Sequence, residues 1–127
     1  MLLALMLSVG LAGRALAQNA APVALLQSAH ATLAGADHDY DGHRIAAMHQ
    51  IEAALRDLAG NSAVGRTHRV HYKHVGKVRN LEPQAASDAK LRSAQEVLQT
   101  AAAELSGSPL KRVNKALAQL NTALGIR

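Results

Sequence analysis

Cysteine is absent from the 127 residues, which excludes disulfides, thiolate nucleophiles, Cys-ligated zinc or iron–sulfur centres and a lipid-modified N-terminal Cys. Phe and Trp are absent too, and two Tyr bring the aromatic content to only 2%. That removes the stacking platforms single-stranded nucleic acid uses and the cages that hold quaternary ammonium ions. The longest apolar run, near the N-terminus, is well short of the ~18 residues a membrane-spanning helix requires. What remains for a core, in a chain that is 49% hydrophobic, is Leu, Ile, Val, Met and Ala. Leu and Ala are strong helix formers, whereas sheets favour aromatic and β-branched residues, so an all-α fold follows.

The length suits one domain with a single modest core. The formal charge is +5 and the pI near 10.1; excess charge by itself gives solubility, and a specific anionic partner needs clustering as well.

Met1 to Ala17 has the pattern of a secretory signal peptide. Leu2 to Val9 is an apolar core, Gly10 and Gly13 loosen it, and Ala15-Leu16-Ala17 is a small-x-small cleavage site before Gln18. No Lys or Arg precedes the apolar core and Arg14 lies close to the cut, as in a sequence whose true start is upstream. The expectation is export, to a bacterial periplasm or beyond, with residues 18–127 as the mature domain.

Gln18 to Pro22 reads as a short flexible lead. Val23, Leu26, His30 and Leu33 then share a helical stripe ending near Gly35, which turns His30 inward as a core imidazole bonded to a neighbour. A second helix from Gly42 or His43 carries Ile45, Met48, Ile51, Leu55 and Leu58 and ends at Gly60-Asn61. His49, Glu52 and Arg56 fall near its solvent boundary, with Glu52 and Arg56 at pairing distance along the helix. A third helix, within Pro83 to Leu105, carries Leu91, Ala94, Leu98, Ala101 and Leu105. In Ser106-Gly107-Ser108-Pro109 the chain stops and restarts: Gly107 suits a left-handed C-cap, Ser108 an N-cap and Pro109 a first helical position. The fourth helix has Leu110, Val113, Leu117, Leu120 and Leu124 at bundle spacing, closed by Gly125. These stripes can be buried only against one another, which predicts an antiparallel four-helix bundle of two helical hairpins.

The densest chemistry lies between the first two helices, in Ala36-Asp37-His38-Asp39-Tyr40-Asp41-Gly42-His43-Arg44. Asp37, Asp39, Asp41 and Gly42 start like a calcium-binding EF-hand loop, but Arg44 and Met48 stand where an apolar residue and a bidentate Glu belong. An architectural role is the better reading. Asp39 or Asp41 caps the second helix, Gly42 permits the turn, Tyr40 covers the core with its hydroxyl outward, and Arg44 pairs with Asp37 or Asp39. This motif, with Ala46 to Leu55 and the ending Leu120-Asn121-Thr122-Ala123-Leu124-Gly125-Ile126-Arg127, resembles a group of small exported bacterial helical proteins with an "ADHDYxGHR" hairpin. The resemblance implies the fold and the export, and it brings no catalytic residues.

Residues 61–80 are irregular, with Val70 and Tyr72 alternating as in a short strand. Arg66, Arg69, Lys73, Lys77 and Arg79 occur there without any acidic residue. They are candidate contacts for an acidic protein or an anionic surface; export disfavours nucleic acid. His68-x-x-His71-x-x-His74 in the same segment would share one face of a helix. With His38 or His43 nearby, such a set could bind Zn, Cu or Ni through neutral imidazole. Five neighbouring cations oppose a divalent ion. His38, Asp39, Tyr40 and His43 could serve acid–base chemistry, but no nucleophile has a recognisable flanking motif. The expected function is therefore a non-enzymatic binding or structural module, with an extracytoplasmic metal-binding protein as the alternative.

Overall fold

The computed structural model describes residues 11–60 and 82–126, and their side chains from Ala20 onward. It contains four helices: α1 (Leu11–Ala34), α2 (His43–Gly60), α3 (Gln84–Ala103) and α4 (Gly107–Gly125), with a short 3-10 turn at Tyr40–Gly42. No strand occurs among the described residues. The all-α bundle expected from composition and periodicity is thus the fold.

Helix α1 begins well before Val23 and runs through Pro22, so Gln18 to Pro22 is helical and not a flexible lead. Alanines surround the proline, and their helix propensity outweighs the one backbone bond Pro22 cannot donate. Pro22 is itself fully buried.

The ends of the helices show their directions. The α1–α2 connection lies against the start of α3, through Asp37 and Ser87, and near the end of α4, through His43 and Gln119. At the opposite end, Asp57 near the end of α2 meets Ser108 at the start of α4. Thus α2 and α3 run one way and α1 and α4 the other. The packing is most extensive between α2 and α4 and between α1 and α3, with lighter contact within each hairpin. Every heavily packed pair is antiparallel, and α2 ends where α3 does not begin. Gly60 and Glu82 thus lie at opposite ends of the bundle.

The core alternates large and small side chains. Ala47, Ile51 and Ala54 on α2, Leu91, Ala94, Leu98 and Ala101 on α3, and Val113, Ala116, Leu120 and Ala123 on α4 are all 0% exposed. The centres of the α2 and α4 stripes are thereby rotated from the expected leucine-rich lines. Ile45, Leu55, Leu117 and Leu124 flank the core and are only partly buried, as is Leu110. The fully buried alanines on α2, α3 and α4 leave room for neighbouring axes to approach more closely than leucines would, and the larger, partly buried residues flank them. Each fully buried Leu contributes roughly 1.5–3 kcal/mol.

Gly107 takes the left-handed conformation, φ 62°, as the turn into α4 requires. Ser108 does not cap that helix. The N-cap is Ser106, whose side chain makes no capping bond, while Ser108 Oγ donates to Asp57 Oδ2. Arg112 Nε lies 3.6 Å from the same carboxylate oxygen, so Asp57 ties α2 to the first turns of α4. Pro109 is buried in the first turn.

Candidate functional site

Of the sequence-predicted residues, His68, His71, His74, Arg66, Arg69, Lys73, Lys77 and Arg79 all lie outside the described residues, as do Val70 and Tyr72. The hairpin motif is described in full, and its neighbours define what it does.

Helix α1 ends with carbonyl groups that lack helical partners. Arg44, from the first turn of α2, reaches back to them. Its Nη1 donates to Leu33 O at 2.9 Å and its Nε to His38 O at 3.0 Å, with Met48 Sδ 3.9 Å from Nη1. Lys90 of α3 donates to Gly35 O at 2.7 Å. Two cations thus close the C-terminus of α1, where the helix dipole favours positive charge. Arg44 is only 2% exposed. Burial lowers its pKa, opposed by the charges of Asp39 and Asp37. The expected pairing of Arg44 with one of these carboxylates is replaced by bonds to backbone carbonyls. The Leu33 carbonyl is buried away from water, whereas both carboxylates retain some solvent contact.

The turn itself is left-handed over three residues: φ is 53° at Tyr40 and Asp41 and 83° at Gly42. Only Gly42 accepts this without steric cost. Neither Asp39 nor Asp41 makes the predicted cap: both are exposed, and no side-chain bond caps the turn. The conformation at Tyr40 is held instead by its ring, 5% exposed, and by its hydroxyl. The hydroxyl points inward to α3, donating to Asp88 Oδ1 at 2.6 Å, and not outward as expected. Burial, followed by that bond to Asp88, raises its pKa. Because Asp41 is left-handed with no hydrogen bond of its own, Asp41→Gly is expected to raise stability by about 0.5–1 kcal/mol. Thermal unfolding checks this, and a lower melting temperature would show that the Asp41 carboxylate contributes to the fold.

Ser87, 0% exposed, joins the connection to α3. Its Oγ accepts from Asp37 N at 3.1 Å and His38 N at 3.4 Å and donates to Glu82 Oε1. Glu82 Oε1 also accepts from Asp37 N at 2.9 Å, and Glu82 Oε2 accepts from Lys90 Nζ. Asp37 Oδ2 returns a bond by accepting from Glu82 N at 3.3 Å. His38 Nε2 donates to Glu82 O at 3.0 Å. His43 Nδ1 donates to Gln119 Oε1 at 2.7 Å, tying α2 to α4. With Lys90, Ser87 and the Asp37 amide all donating to it, the Glu82 carboxyl is lowered to about 2. A depressed carboxyl contributes stability that is present above its unfolded pKa, near 4.5, and lost as the pH falls towards 2. Acid titration should therefore show a stability loss between about pH 4.5 and 2, monitored by circular dichroism. Glu82→Gln should flatten that interval.

No family model, curated protein or solved structure matches the chain. The site is therefore read from its own geometry. Among the described residues, no group of three or more His, Asp or Glu side chains is arranged to hold a metal ion. In particular, Asp37, Asp39 and Asp41 do not form a calcium loop. His38 is directed to Glu82, just ahead of α3, and His43 to Gln119 on α4. His30 is buried as the stripe requires, 3% exposed, with Nε2 3.0 Å from Glu52 Oε1. Glu52 thus faces α1 and does not form the expected pair with Arg56, which is exposed.

Sequence reasoning missed Glu82, Ser87, Asp88, Lys90 and Gln119. The one available signal was Ser87. It falls four residues before Leu91 on the α3 stripe, so a polar side chain occupies a core position.

Proposed function

We propose that this is an exported, non-enzymatic helical bundle that serves as a binding or structural module. The observation supporting this is how the motif's polar groups are used. Asp37, His38, Tyr40, His43 and Arg44 all bond to other helices, to each other's backbone or to helix-end carbonyls. A catalytic group must meet substrate, and these are directed inward to the architecture. Export rests on the Met1–Ala17 pattern, and the resemblance to small exported bacterial bundles agrees with it. In this reading, Arg66, Arg69, Lys73, Lys77 and Arg79 form the contact surface for an acidic partner.

The experiment is expression of the full chain with its natural leader in a Gram-negative host. It is followed by N-terminal sequencing and by calorimetric titration of the recovered protein with Zn, Cu, Ni and Ca. A periplasmic protein beginning at Gln18 that takes up no metal supports the proposal. Retention in the cytoplasm with an intact leader overturns the export. Micromolar metal binding that is lost in a His68/His71/His74 triple-Ala variant replaces the module with the metal-binding alternative.

A further inference from the structure

Helix α1 runs unbroken through the Ala17–Gln18 bond, the bond at which Ala15-Leu16-Ala17 places removal of the leader. A cut there makes Gln18 the first residue of both the chain and the helix. Among the described side chains of α1, Ala20 and Ala21 are exposed and Pro22 is the first that is buried. Leu26, Ala29 and Leu33 follow at 0% exposure, so the packed part of the helix starts at Pro22 and the new end stands ahead of it.

The helix makes no demand on the backbone of Gln18 in the cut chain. Its nitrogen is among the first four of the helix, which have no intrahelical acceptor. Its carbonyl would receive the amide of residue 22, and Pro22 has no N–H to give. A free α-ammonium at this position is also poorly placed. The dipole of a helix disfavours positive charge at its N-terminus, and α1 contains no Asp or Glu of its own to offset it.

An N-terminal glutamine carries its own means of removing that charge. The α-amine nitrogen attacks Cδ of the side-chain amide, and the new C–N bond closes a lactam ring. The bond from Cδ to the amide nitrogen breaks, and that nitrogen leaves as ammonia with one proton from the amine. No oxidant, reductant or water enters the reaction. The product is a neutral chain end.

We infer that Gln18 is a modification site, at which the processed chain cyclises to an N-terminal pyroglutamate. This rests on the reading of the protein as exported, since only leader removal frees the amine. The ring takes away the terminal charge without loss of any α-helical hydrogen bond, and it closes the chain to aminopeptidases, which require a free α-amine. Chain ends are where proteolysis concentrates.

The test is intact-mass measurement of the full chain, expressed with its leader and recovered from the periplasm of a Gram-negative host, after incubation at neutral pH. The mass of residues 18–127 less one ammonia is expected. The mass locates the cut even though the ring blocks N-terminal sequencing. Gln18→Asn should keep its full mass, because the shorter side chain would have to close a strained ring. That variant should also lose its first residues to an aminopeptidase that leaves the wild type intact. Residues 18–127 at full mass, or a wild type trimmed as fast as Gln18→Asn, overturns the cyclisation and leaves export standing. A mass that begins at any other residue overturns the processing at Gln18, and the modification site with it.

Discussion

Arg44→Ala is expected to lower the unfolding free energy by about 3–5 kcal/mol, from the cavity left by a buried side chain and from lost donors to backbone carbonyls. The guanidinium fills space that is 2% exposed, so truncation leaves a cavity. It also strips His38 O of its side-chain donor and leaves Leu33 O with only the Ala36 amide, and a buried acceptor without a partner costs about 1–3 kcal/mol. Arg44→Met separates these terms, because it restores most of the volume without the donors. Chemical denaturation should place Arg44→Met between the wild type and Arg44→Ala. If Arg44→Met matched the wild type, the carbonyl bonds would contribute nothing and Arg44 would act only through packing.

The second large effect is expected at Ser87. Ser87→Ala removes few atoms, so little of its cost is cavity. It removes the bond to His38 N, one of two acceptors at Asp37 N, and a donor to Glu82. A loss of about 2–3 kcal/mol is expected, from one buried N–H left bare and a weakened carboxylate set. Ser87 and Glu82 belong to one network, so the double variant Ser87→Ala/Glu82→Gln should cost less than the sum of its parts. Strict additivity in that cycle would show that the two residues stabilise the hairpin independently.

Both effects come from the same junction, and they show how much of it was legible beforehand. The inward position of Arg44 is legible in its spacing, one and two turns before Met48 and Ile51 of the α2 stripe, and that of His30 in the spacing of Val23, Leu26 and Leu33. Their partners did not follow. Arg44 was expected to choose carboxylates and chose carbonyls; Glu52 was expected to pair along its own helix and crossed to His30. Periodicity gives the face a residue occupies but not the residue opposite it on another helix. Likewise, the Asp39 and Asp41 caps were reasonable by residue type. They failed because the turn is left-handed over three positions, a conformation fixed by the inward pull of Tyr40 towards Asp88.

The sequence by itself determined the helical class, the approximate limits of the last three helices, the inward stripe of α3, and the absence of thiol and aromatic-stacking chemistry. These depend on propensity and on the 3.6-residue period, which are local. Only the tertiary structure decided that α1 packs on α3 and α2 on α4. It also decided that alanines fill fully buried positions on α2, α3 and α4 and that Glu82, Ser87, Asp88 and Lys90 complete the hairpin. Those outcomes depend on contacts between residues up to 76 positions apart, set by how four helices share one core, and no window along the chain contains both partners.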